Sequence, residues 1–216
     1  MRVMKIPVSF VSDHVEEKME ELRISLPHHV MCASHTLNLL ATTDAIKKIA
    51  KSLSRMHHIA LGKCTFLWNA SRRPHSAKKM KLSYPGVTRW NSLYDALGQV
   101  LKHNEKLQAV FSALGTKIQI EEAELEYLRE YLDIMRLIAT SIDWLQGDGC
   151  YFGLLLLILF VIKGKPDEME SKVLRRCAPL VTGLKVSLEN RFNKYFSLSA
   201  EVNDAIWLLV HTLSLK

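Results

Sequence analysis

The segment C-A-S-H, Cys32 to His35, separates a thiol and an imidazole by two residues. This spacing is typical of structural zinc sites, which need four ligands in all. Other candidate ligands are present, but none forms a second pair at regular spacing: His28, His29, His57, His58 and Cys64. The favoured interpretation is therefore a pair that packs and forms local hydrogen bonds where a strand meets a helix, without metal. A Cys–His nucleophile is disfavoured, because nothing in the sequence resembles an oxyanion-binding site.

A basic loop follows some forty residues later. Its cationic residues are Arg72, Arg73, Lys78, Lys79 and Lys81. Clustered Lys and Arg release counterions when they meet a polyanion, so the loop is a candidate phosphate-contacting surface. The alternative is an exposed, solubilising loop, and the two interpretations are compatible.

Trp90 stands beside Arg89, directly after this loop. A tryptophan at a helix start is commonly a core anchor. Next to a basic loop, the indole could instead stack on a nucleobase. The sequence leaves both roles open.

Helical periodicity dominates the elements that must position these residues. Apolar residues at spacings of three and four predict helices over 33–56, 90–111, 121–146, 151–162, 171–196 and 200–216. We expect Thr88 to cap the second helix and Pro179 to break the fifth. Gly62 and the segment 71–86 are predicted to be loops, and short strands are predicted near Val8 and Val30.

Charge is divided unevenly along the 216-residue chain, which carries +7 overall and has a sequence pI of about 9.2. Residues 47–106 hold thirteen Lys or Arg and two acids, whereas residues 116–170 hold five bases and eleven acids. The basic block favours a polyanionic partner.

Four widely spaced cysteines and the absence of a signal-like start predict a reducing intracellular compartment. The apolar run 151–162 would extend only about 18 Å as a helix, so we expect a buried helix and no membrane partner.

Two blocks of the sequence resemble the hAT (hobo and Activator) DNA transposases. The first is C-x-x-H-T-L-N-L within 24–45, and the second is T-R-W-N-S-L-Y-D-A-L, Thr88 to Leu97. A softer match to the helical insertion domain of that family extends the resemblance to Phe196. The resemblance implies a mostly α chain with a partial RNase H-like (α/β) core in 1–115 and a truncated helical insertion domain in 116–216.

In that family, two Asp and one Glu bind two Mg or Mn ions, with which the enzyme cuts and joins DNA. The resemblance implies that Trp90 stacks on a flipped base and that Cys32 and His35 position DNA. Asp13 is a weak candidate for the second Asp, and no segment matching the first Asp, the Glu, the BED-type zinc finger or the dimerisation segment is found. With at most one of three metal ligands, no bound cofactor and no catalysis are expected.

The predicted function is therefore that of a transposon-derived, domesticated or truncated nuclear protein. It would bind DNA weakly or without sequence specificity through Arg89, Trp90, Cys32, His35 and the basic loop, and related transposase chains are possible partners. Three alternatives remain open: an interaction module formed by the helical half, a transposase fragment completed in trans, and a truncated product without selected function.

Overall fold

The computed structural model describes residues 32–47, 51–72, 82–86, 90–147, 152–170, 174–203, 205–207 and 210. The chain divides into two compact units, Met1–Cys32 and Ala33–Lys216. All described helices belong to the second unit. The strands predicted near Val8 and Val30, together with Asp13, lie outside the described residues.

The regular structure of the described part is helical throughout, which confirms the mostly α prediction. In chain order the elements are α1 (Ala33–Leu39), a π-helical segment (Leu40–Asp44), α2 (Ala45–Lys47), α3 (Lys51–Ser71), α4 (Trp90–Lys102), α5 (Asn104–Ala113), α6 (Glu122–Gln146), α7 (Phe152–Glu170), α8 (Ala178–Phe196) and a 3₁₀ turn (Ala200–Val202). The RNase H-like remnant stays a prediction.

Helix α6 lies at the centre of the second unit. It packs against α1, α3, α4 and α7, and it buries side chains along one broad face. Its start agrees with the sequence: Glu121 precedes the helix, and the Glu124 carboxylate accepts the Glu121 backbone N–H at 2.8 Å. The predicted domain boundary at 115/116 falls just before α6, and helices from both sides of it share one hydrophobic core.

The C-terminal helices pack on this core as a pair. Helix α7 lies against α8, and the π-helical segment and α2 also contact α8. Arg191 of α8 forms an ion pair with Asp44 at the end of the π-helical segment. None of the described helices combines the length and apolar character that a membrane crossing needs.

Three sequence predictions about helix continuity differ from the structure. Gly62, predicted as a loop, lies inside α3, where its neighbours Ala60 and Cys64 are buried. Pro179 lies in the first turn of α8 rather than breaking a helix, because proline lacks only an N–H that the first turn leaves unpaired. The predicted helix 90–111 is interrupted at His103, which separates α4 from α5.

The two exposed glycines Gly62 and Gly115 provide a test of this backbone. A Cβ at Gly62 would meet no atom within 4 Å, whereas Gly115 has φ of +64°. We expect Gly62→Ala to raise the free energy of unfolding by about 0.5–1 kcal/mol, because alanine loses less backbone entropy in a helix. Gly115→Ala should lower it by about 1 kcal/mol, because a side chain is strained at positive φ. Urea denaturation followed by circular dichroism measures both, and destabilisation by Gly62→Ala would contradict the helical assignment.

Candidate nucleic-acid interface

A cleft of about 360 Å³ opens where α1, the first turn of α4 and the last turns of α6 meet. It is lined by Ser34, His35, Asn38, Trp90, Asn91, Ile142 and Gln146. The lining comes from both sequence blocks that resemble the hAT transposases and from the end of α6. The cleft therefore brings together His35 and Trp90, two of the predicted site residues.

The side chain of Asn38 connects the two blocks directly. Its Oδ1 atom accepts the backbone N–H of Trp90 at 3.1 Å. The first N–H groups of a helix have no partner within the helix, so an acceptor at this position acts as a cap. The expected cap, Thr88, lies outside the described residues, and Asn38 supplies a capping acceptor from α1.

Asn91 attaches the start of α4 to the end of α6. Its Nδ2 atom donates to the carbonyl oxygen of Ala139 at 2.9 Å and to Oδ1 of Asp143 at 2.5 Å. Its own Oδ1 atom is buried and accepts no hydrogen bond from the described part of the chain. These contacts hold the wall of the cleft in place.

Trp90 is a buried side chain with only 4% of its surface exposed. Its ring centroid lies 5.6 Å from that of Tyr94, and its side chain hydrogen-bonds to Tyr131. The indole thus packs as a core anchor. The predicted stacking on a base stays a prediction, and it would require the indole to move away from Tyr94 and Tyr131.

The other predicted binding residues are only partly described. Cys32 and His35 are exposed, and the Arg72 guanidinium lies 5.2 Å from the ring centroid of Tyr84. Arg73, Lys78, Lys79, Lys81 and Arg89 lie outside the described residues. In the described ranges, no group of three or more His, Cys, Asp and Glu side chains is arranged to hold a metal ion.

Sequence reasoning missed the amide side chains of the cleft. Asn38 and Asn91 belong to the two quoted blocks, so their polar side chains at fixed motif positions could have identified them. Gln146 carries no such signal, because only the packing of α6 against α1 and α4 brings it to the cleft.

Buried polar side chains connect the cleft to α3. Burial raises the pKa of Tyr131 to about 12, although the hydrogen bond from Trp90 opposes the shift. The rings of Tyr131 and Tyr127 lie 6.0 Å apart, and the Tyr127 hydroxyl lies 2.7 Å from Nδ1 of His57. Burial, together with the neighbouring His58, lowers the pKa of His57 to about 4. The imidazole is therefore neutral at physiological pH.

No protein-family model, curated protein or solved structure matches this chain. The resemblance to hAT transposases accordingly stays a prediction carried by the two sequence blocks.

The lowered pKa of His57 predicts acid sensitivity of the fold. The unfolded chain takes up a proton near pH 6.5 and the folded chain only near pH 4, so stability is complete above about pH 6.5 and decreases as the pH falls between these values. The full loss is at most about 3 kcal/mol. We expect His57→Gln to flatten the decline of the urea midpoint between about pH 7 and 5.

His35→Gln is the matched control, because His35 carries an exposed imidazole in the same helical unit. This variant should keep the wild-type pH dependence. An unchanged slope in His57→Gln would show that other groups cause the decline.

Proposed function

We propose that this chain is a transposon-derived protein of the hAT transposase type that binds DNA without catalysing strand cleavage. The observation that supports the proposal is the contact between the two family-like blocks. Asn38 of the first block hydrogen-bonds to Trp90 of the second across 52 residues of sequence, and both line one cleft. A chance resemblance in two separate segments would not require them to meet.

The chemistry of the cleft suits an unpaired nucleobase. Asn38, Asn91 and Gln146 offer amide groups, and His35 offers an imidazole. Such groups pair with the donors and acceptors on the edges of exposed bases. The described lining residues include no Lys or Arg, so phosphate contacts are assigned to a subset of the cations in the basic block, 47–106.

The proposed absence of catalysis follows from the metal ligands that the family requires. Two-metal catalysis needs several carboxylates at one place. None of the described lining residues carries a carboxylate, and the nearby Asp143 accepts a hydrogen bond from Asn91. A nuclear location and association with related transposase chains are part of the same proposal.

The cleft is best tested through its exposed residues, because truncating the buried Trp90 would cost about 3–5 kcal/mol of stability. We expect the double variant His35→Ala/Gln146→Ala to bind duplex DNA with a single-stranded gap about 5–100 times more weakly, since two hydrogen bonds are lost. Affinity for intact duplex should change less than about threefold, because its bases are not available. Fluorescence anisotropy with both labelled DNAs measures the two affinities.

His103→Ala/Gln108→Ala removes the same two side-chain types outside the cleft and should leave both affinities unchanged. Trp90→Phe keeps an aromatic ring in the core while removing the indole N–H, and it tests whether the tryptophan itself is needed. Equal losses on gapped and intact DNA in the cleft variant would overturn the base-binding role. Failure of the wild-type chain to bind either DNA would overturn the proposed function.

An interaction module is the second candidate, and the surface of α7 favours it. Leu157, Phe160 and Val161 are 50%, 44% and 48% exposed and lie three and four residues apart, on one face of the helix. Grouped exposed apolar residues are typical of protein contact surfaces. This face lies in the half of the chain for which an interaction role was predicted.

If α7 mediates self-association, Val161→Glu should shift the chain from an oligomer to a monomer, because a charge cannot be desolvated cheaply in an apolar contact. Sedimentation velocity measures the shift. Ile118→Glu changes an exposed apolar residue, 36% exposed, that lies outside this face and should have no effect. A monomeric wild-type chain would remove self-association as an explanation.

A further inference from the structure

A second depression, of about 600 Å³, lies between the π-helical segment, α2 and the first two turns of α3. We call it the hydroxyl–lysine groove. Its lining residues are Thr42, Thr43, Ile46, Lys47, Lys51, Ser54 and His58. None of them belongs to the cleft described above.

The lining combines cations with hydrogen-bond donors. Lys47 and Lys51 are exposed, and none of the lining residues that the structure describes is acidic. Asp44, the acid nearest in sequence, is paired with Arg191. Lysine ammonium groups beside hydroxyl groups are a typical surface for phosphate oxygens.

Local hydrogen bonds hold several of these groups in place. The Thr42 hydroxyl donates to the Asn38 carbonyl at 2.9 Å. The Thr43 hydroxyl oxygen lies 3.4 Å from the Thr42 hydroxyl oxygen. His58 Nδ1 donates to the Ser54 carbonyl at 2.6 Å, which leaves Nε2 as the remaining polar atom of the ring. The Ala45 N–H donates to the Leu40 carbonyl, five residues back, which is the irregularity that defines a π-helical segment.

The groove and the cleft lie on the same helical run. His35 and Asn38 line the cleft, Thr42 and Ile46 line the groove, and their spacing of three, four and four places them on one face. From His35 to Lys47 the run rises about 18 Å. In a duplex one strand presents a phosphate about every 3.4 Å of helix axis, and phosphates of an unpaired strand are farther apart, so the run is long enough to reach phosphates a few nucleotides from the cleft.

We propose that the hydroxyl–lysine groove binds consecutive phosphodiester groups of the DNA strand whose unpaired base enters the cleft. The inference rests on the proposed function and deepens it, since it names the groups that hold the strand backbone. The cleft supplies neutral contacts to one base, and the groove supplies cationic contacts to the backbone a few nucleotides away. Lys47 and Lys51 are the principal phosphate ligands, and Thr43 contributes its hydroxyl.

The test compares two double variants that remove equal charge from exposed positions. Lys47→Ala/Lys51→Ala changes the groove, whereas Lys102→Ala/Lys106→Ala changes the same basic block outside it. Binding of a labelled single-stranded oligonucleotide is measured by anisotropy at salt concentrations between about 50 and 200 mM. We expect the groove variant to bind at least about tenfold more weakly, with a salt slope lower by about 1.4 for two lost phosphate contacts, and the control pair to lose less than about threefold.

Further variants distinguish a loss of phosphate contacts from a loss of folding. Lys47→Arg/Lys51→Arg keeps both charges and should retain affinity within about threefold. Thr43→Val removes a hydroxyl without changing charge and should weaken binding severalfold. The circular dichroism spectrum of each variant must match that of the wild type. If Lys47→Ala/Lys51→Ala unfolds, the affinities of Lys47→Arg/Lys51→Arg and Thr43→Val test the groove assignment instead.

The outcomes also distinguish this inference from the proposed function. If the wild-type chain binds no DNA, both fail. Only the groove assignment fails if His35→Ala/Gln146→Ala impairs binding to gapped DNA while Lys47→Ala/Lys51→Ala binds normally. It also fails alone if Lys47→Ala/Lys51→Ala and Lys102→Ala/Lys106→Ala lose the same affinity. Inorganic tripolyphosphate that displaces the oligonucleotide at equal phosphate concentration would show a site for free anions and overturn assignment to a DNA strand.

Discussion

The burial of one broad face of α6 is the constraint on which the rest of the structure depends. Polar side chains on that face must find protein partners, because water does not reach them. Glu124 accepts both contacts from Lys63 Nζ at 2.7 and 2.8 Å, and Tyr127 lies at hydrogen-bond distance from His57. Both partners belong to α3, so the polar pairs determine how α3 lies along α6.

The same requirement determines the start of α8. The Glu130 carboxylate accepts backbone N–H groups from Arg175, Arg176 and Cys177 at 2.8–3.0 Å. Burial alone would raise the pKa of this carboxyl, but the three backbone donors hold it below its usual range. Charged hydrogen bonds of this kind are short and directional. Five helices thus take their positions from side chains or packing surfaces of α6: α1, α3, α4, α7 and α8. The cleft opens where the last turns of α6 meet α1 and α4.

The sequence predicted most strongly the elements whose pattern is local. Helix α6 begins and ends where apolar spacing and its glutamate-rich first turn indicate. Gly62 shows the limit of such reasoning: a glycine costs about 1 kcal/mol in a helix, and burial of nearby side chains such as Leu67 and Trp68 outweighs that cost. The residues around Gly62 do not by themselves predict how much apolar surface the next helical turn buries.

Only some members of the candidate site, and not its arrangement, were predictable from the sequence. His35 and Trp90 follow from their sequence blocks, whereas their shared cleft depends on the packing of α1 and α4 against α6. Trp90 could be a core anchor or a base platform from sequence alone, because an indole has the chemistry for both. Its burial against Tyr94 and Tyr131 arises from tertiary contacts that span more than forty residues for Tyr131.

The hydrogen bond between Asn38 and Trp90 has a thermodynamic consequence. The Asn38 side chain caps α4 and also lines the cleft, so a ligand that turned this amide away from Trp90 would leave the first N–H of α4 without its acceptor. For such a ligand, occupancy of the cleft and the integrity of the α4 start would be linked equilibria, and each would shift the other by the same free energy. A single side chain would then connect a binding event at the surface to the helix that holds Trp90 in the core.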